Sequence, residues 1–144
     1  MLKSFSSTGI GSLPHFDASE ACRVIFSSVD IPFWPQLPRR SFLELMVPQY
    51  SEGFPFIEIE GEQLYIKKAE KQAVTSFYEK VARGGEFPIS KEYAPGFYAF
   101  ADILKKNKKK LPVIKGHVTG PLTFTLSLTD DQKRPIYFDE EMRE

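Results

Sequence analysis

Apolar residues change their spacing several times along the chain, and each change predicts an element. Residues 5–12 read as a short strand entering a turn that carries Gly9 and Gly11. Beyond it, Ala18, Ala21, Cys22, Ile25 and Val29 recur at intervals of three and four, the stripe of a helix over 18–28 that Asp17 or Ser19 would cap. Pro32, Pro35 and Pro38 then forbid a helix and leave room for a brief strand over 33–36. Ser41 and Glu44 stand at capping-box spacing, which predicts a short helix over 41–47 ended by Pro48.

The next stretch changes period. Phe56, Ile57 and Ile59 mirror Leu64, Tyr65 and Ile66 across Glu60, Gly61 and Glu62, which predicts an inserted antiparallel hairpin. Ala69, Ala73, Val74, Phe77, Tyr78, Val81 and Ala82 restore helical spacing over 69–83, with Gly84 and Gly85 as the stop. After a loop to Ala94, residues 95–106 read as a helix with a cationic C-terminal end. A strand over 111–118 follows, then a Thr-Gly-Pro turn and a helix starting near Pro121, a residue suited to a first helical turn. Asp139 would cap a last amphipathic helix begun by "RPIYFDEEMRE".

Three strand-loop-helix units imply a mainly parallel α/β fold, in which ligands bind at the carboxyl ends of the strands. Composition narrows the partners. Length and a 42% hydrophobic content suit one globular domain over 1–144. Nineteen basic residues balance nineteen acidic ones, which argues against broad binding to nucleic acid or anionic membrane. The "KKNKKK" run reads as a solvated helix end, since no aromatic residues interleave it. No apolar stretch reaches about 18 residues, so no membrane span is expected. Cys22 is the only cysteine, which favours a cytoplasmic setting, and its place on an apolar stripe makes it a buried structural thiol.

Two segments carry candidate chemistry. "TGIGSLPH" combines glycines that permit close backbone approach with free N–H groups near Ser12 suited to a carboxylate. "KGHVTGPLTF" places a histidine beside a second turn. Together they resemble the catalytic barrel of the cobalamin-independent methionine synthase family, within the methionine synthase and uroporphyrinogen decarboxylase-like superfamily. "IPFWPQLPRRSFLELMVPQY" further resembles short members built from this barrel alone. The resemblance implies that the chain forms the first part of a (β/α)8 TIM-type barrel, its N-terminal half, with the hairpin near 56–66 inserted. It implies a methyltransferase acting on a thiol amino acid such as homocysteine. Ile10, Gly11 and Ser12 would hold the substrate's amino-acid end, and His117 to Pro121, including Thr119 and Gly120, would form the opposite wall.

In complete family members, a zinc ion bound by His, Cys, Glu and Cys activates the thiol as thiolate. Those ligands fall in the later half of the barrel, so none is expected in these 144 residues, and the methyl donor, folate or corrinoid, is not specified. His15, His117 and Cys22 lack metal-site spacing. The competing reading is a non-catalytic, small-molecule-binding or oligomerising fragment of the same fold; a decarboxylase-like reading lacks the arginine-rich segment expected near the amino terminus. An open half-barrel would leave strand edges and apolar surface bare, which predicts a homo-oligomer covering that side.

Further candidates come from the residues themselves. His15 follows the glycine turn, where it is either a carboxylate partner or a plain loop histidine. Alternation places His117 opposite Gly116 and Val118, toward a pocket. Trp34 and Gln36 share one strand face, as a wall for a flat ligand or as core. Arg39, beside Arg40, suits bidentate pairing with a carboxylate or phosphate, against a solvated-loop alternative. Glu58, Glu60 and Glu62 form one solvent face of the hairpin and no acid–base cluster.

Overall fold

A computed structural model describes residues 4–67, 71–107 and 111–140. In chain order the elements are α1 (Ala18–Ser28), α2 (Met46–Ser51), β1 (Ile57–Glu60), β2 (Gln63–Ile66), α3 (Lys71–Ala82), α4 (Pro95–Lys106), α5 (Pro121–Ser127) and β3 (Thr129–Asp130), with 3₁₀ turns at Phe42–Glu44 and Ile136–Phe138. The protein is mixed α/β. Two compact units share the chain: residues 1–45 with 90–118, and residues 46–89 with 119–144.

In the first unit, three extended segments run parallel. Ser12 bridges to Gln36, and Phe33 to Lys115. Gln36 N donates to the Gly11 carbonyl at 2.8 Å, Leu13 N to the Gln36 carbonyl at 2.9 Å, and Lys115 N to the Pro32 carbonyl at 2.9 Å. The strands expected over 5–12, 33–36 and 111–118 are thus reduced to isolated bridges. Prolines 32, 35 and 38 remove donors from the middle segment, and side chains take over part of the pairing: Thr8 Oγ1 donates to the Ile31 carbonyl, and Ser7 binds Asp30. Phe33 to Leu37 are all buried, as a segment flanked on both sides and covered on both faces requires.

Helix α1 has the predicted bounds. Asp17 is its cap, accepting from Glu20 N at 2.7 Å, and Ala21, Cys22 and Ile25 are its buried residues. Helix α4 also has the predicted bounds, opens with Pro95 in its first turn and packs against α1. Phe26 and Phe100 stack between them at 5.2 Å. A Cβ on Gly96 would come within 1.9 Å of the Pro35 carbonyl oxygen, so glycine is what lets α4 reach the middle segment. Burial of Ala21, Cys22, Ile25, Phe33, Trp34, Leu37 and Phe100 makes this core, at about 1.5–3 kcal/mol for each large apolar side chain.

The expected helix over 41–47 is replaced by two short pieces. Ser41 caps the 3₁₀ turn, accepting from Leu43 N. Pro48 does not end a helix but lies in the first turn of α2, where its missing N–H would have had no intrahelical partner. Glu44 closes no capping box. Its carboxylate turns back to accept from Leu37 N at 2.9 Å and from Arg40 at 2.8 Å.

The second unit contains the hairpin in the predicted place, with Ile57 opposite Ile66 and Glu60 opposite Gln63. Gly61, at φ +61°, supplies the positive φ that a two-residue turn needs at its first position. A strand that periodicity did not signal, β3, adds parallel to β2, giving the order β1-β2-β3. Ile66, Leu128 and Ile136 centre this unit's core, with Phe54, Phe56 and Phe124 around them. Gly84 and Gly85 stop α3 by donating back to the Val81 and Lys80 carbonyls, with Gly84 at φ +71°. Residues 69–70 of the predicted helix, 108–110 of the lysine run and 141–144 lie outside the described residues. Asp139 closes the 3₁₀ turn through its N–H to the Ile136 carbonyl, where a helix cap was expected.

Candidate functional site

The carboxyl ends of the three parallel segments meet around Gly11. An added Cβ there would lie 2.7 Å from His117 Cε1, 2.8 Å from His117 Nε2 and 3.1 Å from Gln36 Oε1. His117 comes from the segment after α4 and Gln36 from the segment after α1, so two crossovers deliver them to one glycine. Gly9 fits the same way against the Phe33 ring, whose Cε1 its Cβ would meet at 2.5 Å. These glycines set a close approach of backbone to side chain.

The imidazole of His117 stacks on Trp34, with centroids 4.0 Å apart and planes inclined by 15°. Trp34, 7% exposed, also meets the Phe97 ring edge at 5.8 Å. The indole face expected to wall a flat ligand is therefore occupied on one side by imidazole. Burial, and then the neighbouring Lys115 charge, hold the His117 pKa below its ordinary 6.5, so the ring is neutral near physiological pH.

Alternation through this segment follows expectation. Lys115 and His117 are half-buried, while Gly116 and Val118 are exposed. Lys115, which the sequence did not single out, reaches 106 residues back along the chain to donate its Nζ hydrogen to the Gly9 carbonyl. The signal for it was there: it has the same parity as His117 in an extended segment.

The remaining candidates separate. Ile10 is 86% exposed and Ser12 is exposed beside buried Gly11. His15 is half-buried, and its Nδ1 has no hydrogen-bond partner among the described residues. Arg39 is exposed and lies 5.3 Å over the Phe16 ring, while its neighbour Arg40 pairs with Glu44. Thr119, Gly120 and Pro121 belong to the second unit and shape it locally: Thr119 Oγ1 donates to the Met46 carbonyl, Gly120 is the cap of α5 and Pro121 its first residue.

Glu44, expected only to close a capping box, has a different role. It is 1% exposed and holds together the loop that follows Gln36; burial raises its pKa, and the Arg40 and Leu37 N–H bonds pull against that rise.

Among the described residues no group of three His, Cys, Asp or Glu side chains is arranged to hold a metal ion. Cys22 is the wrong kind of thiol for one, since burial and then the Asp17 charge push it up to about 11, away from the thiolate that zinc requires. The described residues do not fit a zinc centre. A groove of ≈ 320 Å³ lined by Ser19, Pro95, Tyr98, Asp102 and Lys106 contains none of the candidates. On the hairpin, Glu58 pairs with Lys67 at 3.0 Å and accepts from the Tyr65 hydroxyl at 3.2 Å, a structural arrangement.

Comparison with protein-family models, with curated proteins and with solved structures gives no match.

Proposed function

We propose that this chain supplies the substrate-holding part of a methionine-synthase-like (β/α)8 barrel and takes a thiol amino acid such as homocysteine at the turn from Gly9 to Ser12. The observation that carries the reading is the convergence of Gln36 and His117 on Gly11, each from the carboxyl end of its own parallel segment. Ligands of parallel α/β folds bind at those ends. The packing of α1 on α4 agrees with it: consecutive crossovers of one hand bring their helices together on one face of a parallel sheet, as in a barrel wall.

In this reading the Gly11–Ser12 backbone and the Ser12 hydroxyl orient the amino-acid end of the ligand. Neutral His117, held against Trp34, gives that pocket a fixed wall. No methyl-transfer step is assigned to these residues, because they do not fit the zinc that such a transfer uses in the family. Binding and orientation are what this chain's own side chains account for.

Trp34 is the only tryptophan, so its emission reports on the site. L-Homocysteine at millimolar concentration is expected to change that emission saturably, with L-alanine having no such effect. Ser12→Ala, at an exposed position, is expected to weaken the response several-fold without altering far-UV circular dichroism. A flat titration with homocysteine, or one that alanine reproduces, overturns the reading.

A further inference from the structure

Lys115 presents an unusual charge balance. The residue is half-buried and its hydrogen bond runs to the Gly9 carbonyl, a neutral acceptor. Among the described residues, ion pairs join Arg40 to Glu44, Lys67 to Glu58, Arg83 to Glu79 and Arg134 to Asp130, and no carboxylate pairs with Lys115. An ammonium has three donors, of which a carbonyl takes one, so a half-buried lysine keeps donors for an anion. His117, the neighbour that feels the Lys115 charge, offers no counter-charge, since it either stays neutral or adds a second positive one.

We propose that Lys115 is the anchor for the carboxylate of a small-molecule ligand held at the Gly9–Ser12 turn. The Nζ already sits at that turn through Gly9, so a carboxylate entering beside Gly11 meets the ammonium. One unpaired cation matches one monoanion. A phosphate dianion would call for a second positive group, and of the two arginines that follow Gln36 in the chain, Arg40 is paired with Glu44 and Arg39 lies over Phe16. An arriving carboxylate also offsets the Lys115 charge felt by His117, so it raises the imidazole pKa toward its ordinary value. The identity of the ligand's other end rests on the thiol amino-acid reading above; the anchor does not.

The test compares wild type, Lys115→Arg and Lys115→Met, each checked for fold by circular dichroism and read by Trp34 emission. Four probes are used: L-homocysteine, its decarboxylated counterpart 3-aminopropanethiol, butyrate and inorganic phosphate. Wild type is expected to bind homocysteine at least about tenfold more tightly than 3-aminopropanethiol, the scale of one charge-assisted contact. That preference is expected to persist in Lys115→Arg and to vanish in Lys115→Met.

Equal affinities for the two thiols on wild type, or a preference that survives in Lys115→Met, overturn the anchor while leaving thiol binding intact. Because the first comparison needs only wild type, it stands even where a variant fails to fold. Lys115-dependent binding of butyrate with no response to homocysteine supports the anchor and removes the thiol reading. Phosphate binding more tightly than butyrate overturns the carboxylate assignment, and silence toward all four probes overturns both.

Discussion

The ring centroids of His117 and Trp34 lie 4.0 Å apart with the planes nearly parallel, although the two residues are 83 positions apart in the chain. This stack ties the segment after α4 to the segment after α1. It also makes the stability of the first unit sensitive to acid.

Because burial and Lys115 lower the His117 pKa below 6.5, the folded protein holds that proton less tightly than the unfolded chain does. The contribution of neutral His117 is therefore fully present above about pH 6.5 and is lost as pH falls from there toward the lowered value. Urea midpoints between about pH 7.5 and about pH 5.5 are expected to fall more steeply for wild type than for His117→Phe, which keeps an aromatic ring on Trp34. Parallel slopes would refute this, and His15, present in both, cancels in the comparison.

Glycines 96 and 11 are expected to rank in a fixed order. Gly96→Ala sets a methyl against the main-chain carbonyl of Pro35, which cannot swing away, and is expected to cost about 3 kcal/mol or more. Gly11→Ala meets the side chains of His117 and Gln36, which can shift, and is expected to cost about 1–3 kcal/mol with a change in Trp34 emission. Denaturant unfolding followed at Trp34 gives both values; a larger loss for Gly11→Ala would reverse the argument.

Glu44 accepts hydrogen bonds from Leu37 N and Arg40 in a buried place. Glu44→Ala strands that buried N–H and is expected to cost about 1–3 kcal/mol, whereas Glu44→Gln keeps an acceptor and is expected to cost less. Since the folded pKa is raised above the ordinary 4.5, the stabilisation linked to protonation is present below that value and lost as pH rises through the raised one. Stability curves of wild type and Glu44→Gln against pH should shift in favour of the glutamine variant as pH increases through that window.

Asp17 caps α1 through a single bond to Glu20 N, and Asp17→Ala is expected to lower stability by about 1 kcal/mol. The same change removes the charge that helps raise the Cys22 pKa, so the thiol, held up mainly by burial, should titrate slightly lower. Thiol reactivity against pH measures this; an unchanged profile would mean that Asp17 does not act on Cys22.

The features legible from the residues alone are local ones. Periods of three and four residues located α1 and α4 to their observed ends, because a helix's buried stripe is a property of its own residues. Alternation around Gly61 located the hairpin, whose partners are at most nine positions apart. Local spacing failed where a residue's partner was elsewhere: Ser41 and Glu44 looked like a capping box, yet the carboxylate had a better use seven residues back at Leu37. Tertiary structure alone decided that β3 joins the hairpin, that three proline- and glycine-punctuated segments align in parallel, and that Lys115 reaches Gly9 and His117 reaches Gly11. Those contacts depend on loop closure and on packing between α1 and α4, and neither leaves a period in the residues that finally meet.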